Sequence, residues 1–140
     1  MTAAPSAFTV HARADAESAV LLAASDDLLL DTRWQPDAPS GHPGPAELLA
    51  GAFAACLLKN VARSSALLPF AYRSAEVQVT MHRQEVPPRF TAIEYELMLT
   101  TDEPPHRVEL LHRNLQKFGT VYNTLAAVCE VTGTVTAREN

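Results

Sequence analysis

"GPAELLAGAFAACLLKN", residues 44–60, decides how the rest of the chain is read. It holds eleven consecutive uncharged residues, Leu48 to Leu58, and the first of only two cysteines, Cys56, stands inside that run. Pro45 suits the first position of a helix, where its missing N–H would have no partner and its φ is already helical. Glu47 falls in the first turn, where the free backbone N–H groups favour a carboxylate. The helix should run to Leu67 or Leu68 and stop before Pro69. Its middle is apolar all round and rich in Ala and Gly, so it is expected to be buried on every face. Small residues would also let a second helix approach closely, which points to a helix at the centre of an assembly.

Working outward, Phe8, Val10 and Ala12 alternate with Thr9, His11 and Arg13, the pattern of a short half-buried strand. "AVLLAA" (19–24) and "LLLDTRW" (28–34) flank the turn sequence "SDD" and read as a hairpin, with Arg33 on its second strand. "QPDAPSGHPGP" (35–45) has four prolines and two glycines and must be a loop. After the helix, Val77, Val79 and Met81 alternate with polar residues, as do Ile93, Tyr95, Leu97 and Leu99, giving two long strands joined by "EVPPR". Asp102 is expected to cap a second helix with Val108, Leu111, Leu115 and Phe118 on one face, ended by Gly119. "TVYNTLAA" reads as a short helix and "VCEVTGTVT" as a last strand. The order β-β-β-α-β-β-α-α-β is that of an α+β domain, expected to span residues 1–140.

The 140 residues are 47 % hydrophobic and 19 % charged, an ordinary globular composition. A net charge of −5 with scattered basic residues argues against a nucleic-acid partner. "MTAAPSAFTV" lacks the basic start and apolar stretch of a secretory peptide, and the apolar run is short of the ~20 residues that span a bilayer. Two cysteines are too few for a disulfide framework and suit a reducing compartment. The expectation is a cytoplasmic protein with no membrane partner. The five histidines show no metal-ligand spacing, and neither a phosphate loop nor a nucleophile elbow is present, so no metal and no cofactor are expected.

Two readings of Cys56 remain open at this point. A cysteine in an apolar helix can be a small core hydrophobe. As a reagent it needs its thiolate stabilised, since burial alone disfavours the charged form. Cys56 lies too deep in the helix to use the helix N-terminus, so a cation must come from elsewhere: Arg33 first, because a guanidinium stays charged in an apolar pocket, and Lys59, one turn on, second. Glu47, nine positions before Cys56, falls on the opposite side of the helix at about 100° per residue. It reads best as a helix-start carboxylate. Cys129, on the face shared with Val131, Gly133 and Val135, reads as a core residue.

"GPAELLAGAFAAC", the two alternating strands, the following helix and "GTVYNTLAA…VTGTV" together resemble the OsmC/Ohr family, osmotically inducible protein C and organic hydroperoxide resistance proteins. The likeness covers nearly the whole chain. It implies an intertwined homodimer whose long helices pack back to back between sheets. It also implies a cysteine peroxidase that reduces organic hydroperoxides, the first cysteine attacking the peroxide oxygen beside an Arg and a Glu in an apolar interface pocket. The attacking cysteine maps to Cys56, with Arg33 in the region of the family's arginine. The better-studied branches place the Glu ten positions before the cysteine, here Ala46; Glu47, at nine, resembles a less characterised branch. Their resolving cysteine stands 63 to 66 positions after the first, and the position here is Gly119. The resemblance therefore implies a hydroperoxide reductase using Cys56 with an external thiol as reductant. The alternative is a dimeric binding protein holding a small apolar ligand, with Cys56 as a wall residue.

Overall fold

The computed structural model describes residues 6–22, 25–34 and 41–139. The chain runs β1 (His11–Ala14), β2 (Ala19–Leu22), β3 (Asp27–Leu30), α1 (Pro45–Leu67), β4 (Ser74–Gln84), β5 (Arg89–Thr100), α2 (Pro105–Phe118), α3 (Thr120–Ala126) and β6 (Glu130–Arg138). This is the α+β order read from the sequence. It forms two compact units, Met1–Leu48 and Leu49–Asn140.

In the first unit β1, β2 and β3 form an antiparallel sheet in chain order. The Asp15 carboxylate accepts the N–H groups of Glu17 and Ser18 at 2.8 and 2.9 Å, which builds the turn between β1 and β2. Those two bonds hold the carboxyl below its usual range. The expected hairpin is present, with Leu22 opposite Asp27; Ala23 and Ala24, and residues 35–40 of the proline-rich loop, lie outside the described residues. The strand read around Phe8 differs from expectation. It begins only at His11 and is exposed throughout, and Phe8 is 91 % exposed. Alternation alone shows which residues could share a face, not that this chain covers that face.

The second unit is built on the sheet β4-β5-β6, antiparallel between β4 and β5 and parallel between β5 and β6. The register aligns Val77 with Leu97 and Val135, Val79 with Tyr95 and Gly133, and Met81 with Ile93 and Val131. Those residues share one face because strand side chains alternate. Helix α1 presents Phe53, Leu57, Val61 and Ser64 to the core, and α2 presents Val108, Leu111 and Leu115. Gly133 is required by a close approach: a Cβ there would sit 2.2 Å from the Tyr95 ring. The Tyr95 ring fills the space a side chain would take, within an aromatic cluster with Phe53 and Tyr122 at centroid distances of 5.9 and 6.1 Å.

Three expectations are corrected here. Only one stripe of α1 is buried within the chain; Gly51, Ala52, Ala55, Leu58, Ala62 and Ala66 are exposed. Asp102 does not cap α2, whose N-cap is Pro104 without a side-chain bond; its carboxylate instead pairs with the Arg73 guanidinium through bonds of 3.0 and 3.1 Å. A bidentate partner is a better acceptor's match than a lone N–H. Phe118 leaves the face of α2 it was assigned to and lies 43 % exposed, with Arg63 4.4 Å from its ring centre. By length and composition α1 could also cross a membrane. Its Lys59, Asn60 and Arg63, and the packing of Phe53, Leu57 and Val61 into the core, mark it as the central helix of a folded domain.

Candidate thiol site

Helix α1 starts where the residues said it would, with Pro45 as its first residue. Gly44 N–H donates to Glu47 Oε1 at 2.9 Å, half of a capping box. Glu47 is exposed and does what a helix-start carboxylate does. About two and a half turns further on, the half-buried Cys56 is a free thiol. The donor that reaches its sulfur is the Asn60 side-chain amide, whose Nδ2 lies 2.9 Å from the Cys56 carbonyl oxygen and 3.7 Å from Sγ. Asn60 was not singled out from the sequence. Its signal is the i+4 spacing, which stacks it over Cys56 on the helix surface. Lys59, the second cation considered, is exposed.

Across from the sulfur stands Gly119, which ends α2 and precedes α3 with an ordinary extended backbone, φ −75° and ψ 120°. A Cβ built on Gly119 would lie 2.9 Å from Cys56 Sγ. An S–S bond of about 2.05 Å places the Cβ of one cysteine about 3 Å from the sulfur of the other. The position that the resemblance gives to the resolving cysteine therefore lies within reach of the Cys56 sulfur but carries no thiol. Phe53 and Tyr122, stacked at 5.4 Å, adjoin the pair in sequence and in space.

Cys129 lies elsewhere in the same unit. It is buried immediately before β6, and its S–H donates to the Phe90 carbonyl at 3.4 Å. It lines a largely apolar pocket of about 580 Å³ with Leu49, Met81, Arg89, Phe90, Leu125 and Val128. Both cysteines are free.

Arg33 belongs to the first unit, with Glu47, whereas Cys56 belongs to the second. It is exposed and is not on a strand: β3 ends at Leu30, because Asp31 turns the chain by accepting the Arg33 N–H on Oδ1 at 3.0 Å. Arg33 lines a polar pocket of about 270 Å³ together with Asp15, Asp31 and His42.

A second polar contact is buried in the sheet unit. Tyr95 Oη lies 2.6 Å from His112 Nε2. Burial pushes the His112 imidazolium towards the neutral form and the Tyr95 phenol upward, Tyr122 adding to the latter.

A free, half-buried thiol on a long central helix, packed against a three-stranded sheet by two shorter helices, defines an α+β protein with a helix-borne cysteine. The model of the family described as OsmC-like protein matches residues 38–133, and the chain belongs to that family. No curated protein matches the sequence. Among solved structures, an OsmC-like protein from Mycoplasma pneumoniae superimposes with a TM-score of 0.83 at 16 % identity, covering 94 % of this chain and 97 % of that one. An organic hydroperoxide resistance protein OsmC from Legionella pneumophila gives 0.74 at 14 %, covering 94 % and 99 %. The organic hydroperoxide resistance protein OhrB of Bacillus subtilis gives 0.65 at 17 %, covering 92 % and 98 %. At these identities the likeness establishes the fold.

Proposed function

We propose that the protein is a cytoplasmic, homodimeric thiol protein of oxidative-stress defence that reduces organic hydroperoxides through Cys56. The observation that carries this reading is the free, half-buried Cys56 on α1 of a family fold some of whose members are organic hydroperoxide resistance proteins. The Cys56 thiolate attacks the outer peroxide oxygen, an S–O bond forms and the O–O bond breaks. The alkoxide leaves and takes a proton as the alcohol, and Cys56 is left as a sulfenic acid. With no thiol at position 119, two equivalents of an external thiol return it to Cys–SH, releasing a disulfide and water. Arg33 and Glu47 are proposed as the polar partners of the reaction, Arg33 supplying the cation and Glu47 a carboxylate beside it.

The homodimer reading is supported by the exposed small-residue surface of α1, which is apolar and unsuited to water. Light scattering should return a dimer at micromolar concentration; a stable, folded monomer removes the interface site. The second reading, a binding protein that holds a small apolar ligand in an interface pocket with Cys56 in its wall, is favoured by the absence of a thiol at position 119.

Mass spectrometry after brief exposure to an organic hydroperoxide, with a sulfenic-acid trap, separates the two. The enzyme reading expects one trapped adduct on Cys56, absent from Cys56→Ser and slowed roughly tenfold to a hundredfold in Arg33→Ala. A Cys56 that stays unmodified while the protein takes up an apolar probe leaves the binding reading standing.

A further inference from the structure

We propose that the flank of the thiol site is an electrostatic docking surface that selects, as the external reductant, a small thiol carrying a carboxylate. The proposal rests on the reading of Cys56 as a hydroperoxide-reducing thiol and names the class of its partner. It starts from the distribution of charge. All sixteen acidic residues lie outside two stretches, 48–75 and 110–129. Those stretches contain most of α1, most of α2 and all of α3, and they meet where Gly119 stands against the Cys56 sulfur. Between them they hold Lys59, Arg63, Arg73, Arg113 and Lys117. In a chain of net charge −5, the two stretches that make the thiol site carry positive charge only.

Three of these cations flank the sulfur. Lys59 lies one turn after Cys56 on α1. Arg63, seven positions on, is about 10 Å further along the helix and within about 20° of the same line. Helix side chains lean towards the N-terminus, which for Arg63 is the direction of Cys56. The Arg63 guanidinium is 4.4 Å and the Lys117 ammonium 5.2 Å from the centre of the Phe118 ring. Phe118 immediately precedes Gly119, whose Cβ would stand 2.9 Å from the sulfur. An aromatic ring beside the thiol therefore holds two charges in place. Lys59, Arg63 and Lys117 are all exposed, and none has an ion-pair partner among the described residues. Their charge acts on whatever approaches Cys56.

The proposed reaction supplies the ligand that fits. A thiolate attacks the sulfenic sulfur of Cys56, the S–S bond forms, and hydroxide leaves and takes a proton as water. A second thiolate attacks the outer sulfur of that mixed disulfide, and Cys56 departs as the thiolate. A reductant with a carboxylate is drawn to the basic flank at both steps, since a surface of one sign concentrates ligands of the other. An uncharged hydroperoxide gains nothing from this field.

The test forms the Cys56 sulfenic acid on the full chain with an uncharged hydroperoxide and follows its loss to mercaptoacetate, mercaptoethanol or cysteamine. Rates are compared per thiolate, so that charge and not thiol acidity is read. The net charge of the chain would by itself favour cysteamine. The proposal expects mercaptoacetate to lead cysteamine by about tenfold at low ionic strength, with the gap closing as salt is added. Arg63→Gln should cut that ratio at least about threefold, while Arg63→Lys keeps the charge and most of the ratio. Arg138→Gln removes the same charge from β6 and should leave the ratio unchanged. A ratio near one in the parent protein, or an equal fall in Arg138→Gln and Arg63→Gln, overturns the proposal. If the parent protein forms no sulfenic acid, the functional reading fails instead. Docking is then decided by the free thiol, from the rates at which Cys56 exchanges with the anionic disulfide dithiobis-nitrobenzoate and the neutral dithiodipyridine, read by mass on the Cys56 peptide. The anionic disulfide must gain relative to the neutral one as salt is lowered and lose that gain in Arg63→Gln; the same salt dependence in both proteins overturns the proposal.

Discussion

At the scale of single residues, the free Cys56 thiol faces Gly119. A glycine opposite the sulfur leaves position 119 within reach of Cys56 with no thiol to form a bond. Gly119→Cys should therefore close a Cys56 disulfide on mild oxidation, with a small local shift because Tyr122 Cβ also lies 2.9 Å from the new Cβ. A non-reducing peptide map should find that bridge in good yield while Cys129 stays free. Bridging of Cys56 to Cys129 in its place would show that the two packing environments are not separate. Asn60 adds a donor at 3.7 Å from the sulfur, and its role is local to α1.

At the scale of elements, the contact that sets the sheet unit is the Tyr95 ring lying over Gly133 across the β5–β6 pair. Parallel pairing gives no tight turn to enforce register, so register depends on how side chains on one face fit. A methyl at position 133 would stand 2.2 Å from two ring carbons of a buried tyrosine and must displace the ring or the strand. Gly133→Ala should cost about 1–3 kcal/mol, the usual penalty of overpacking a close-packed core. Thr134→Ala, on the exposed face of the same strand, should change stability by less than about 0.5 kcal/mol. Urea denaturation of the two variants checks the contrast; equal effects would mean that Tyr95 repacks freely.

At the scale of the whole molecule, stability should depend on pH through His112. Burial lowers its folded-state value below that of the free side chain, about 6.5. A group whose folded value is depressed contributes its stability fully above the unfolded value and loses it as pH falls through and below it. The urea midpoint should therefore fall between about pH 7 and pH 5. His112→Gln, which keeps a polar partner near the Tyr95 hydroxyl without a titrating ring, should flatten that slope. The groups that face this histidine are the Tyr95 hydroxyl and, around the adjoining pocket of about 460 Å³, Glu103, Glu109, Arg138 and Glu139. An unchanged slope in His112→Gln would overturn the assignment to His112.

What the sequence determined by itself was everything that depends on short spacing. Pro45 and Glu47 marked the helix start to the residue, strict alternation marked β4, β5 and β6, and the "SDD" turn marked the β2–β3 hairpin, because these signals act over a few residues. The α+β order followed from them. The tertiary structure decided what depends on residues far apart in the chain. It set Gly119 against Cys56 across 63 positions, laid Tyr95 over Gly133 and paired Asp102 with Arg73 instead of a helix end. It also left one whole face of α1 uncovered. An apolar run says that a surface must be buried, since burial is favourable per unit area whatever does the covering. Which chain covers it is a property of packing geometry that no local pattern encodes.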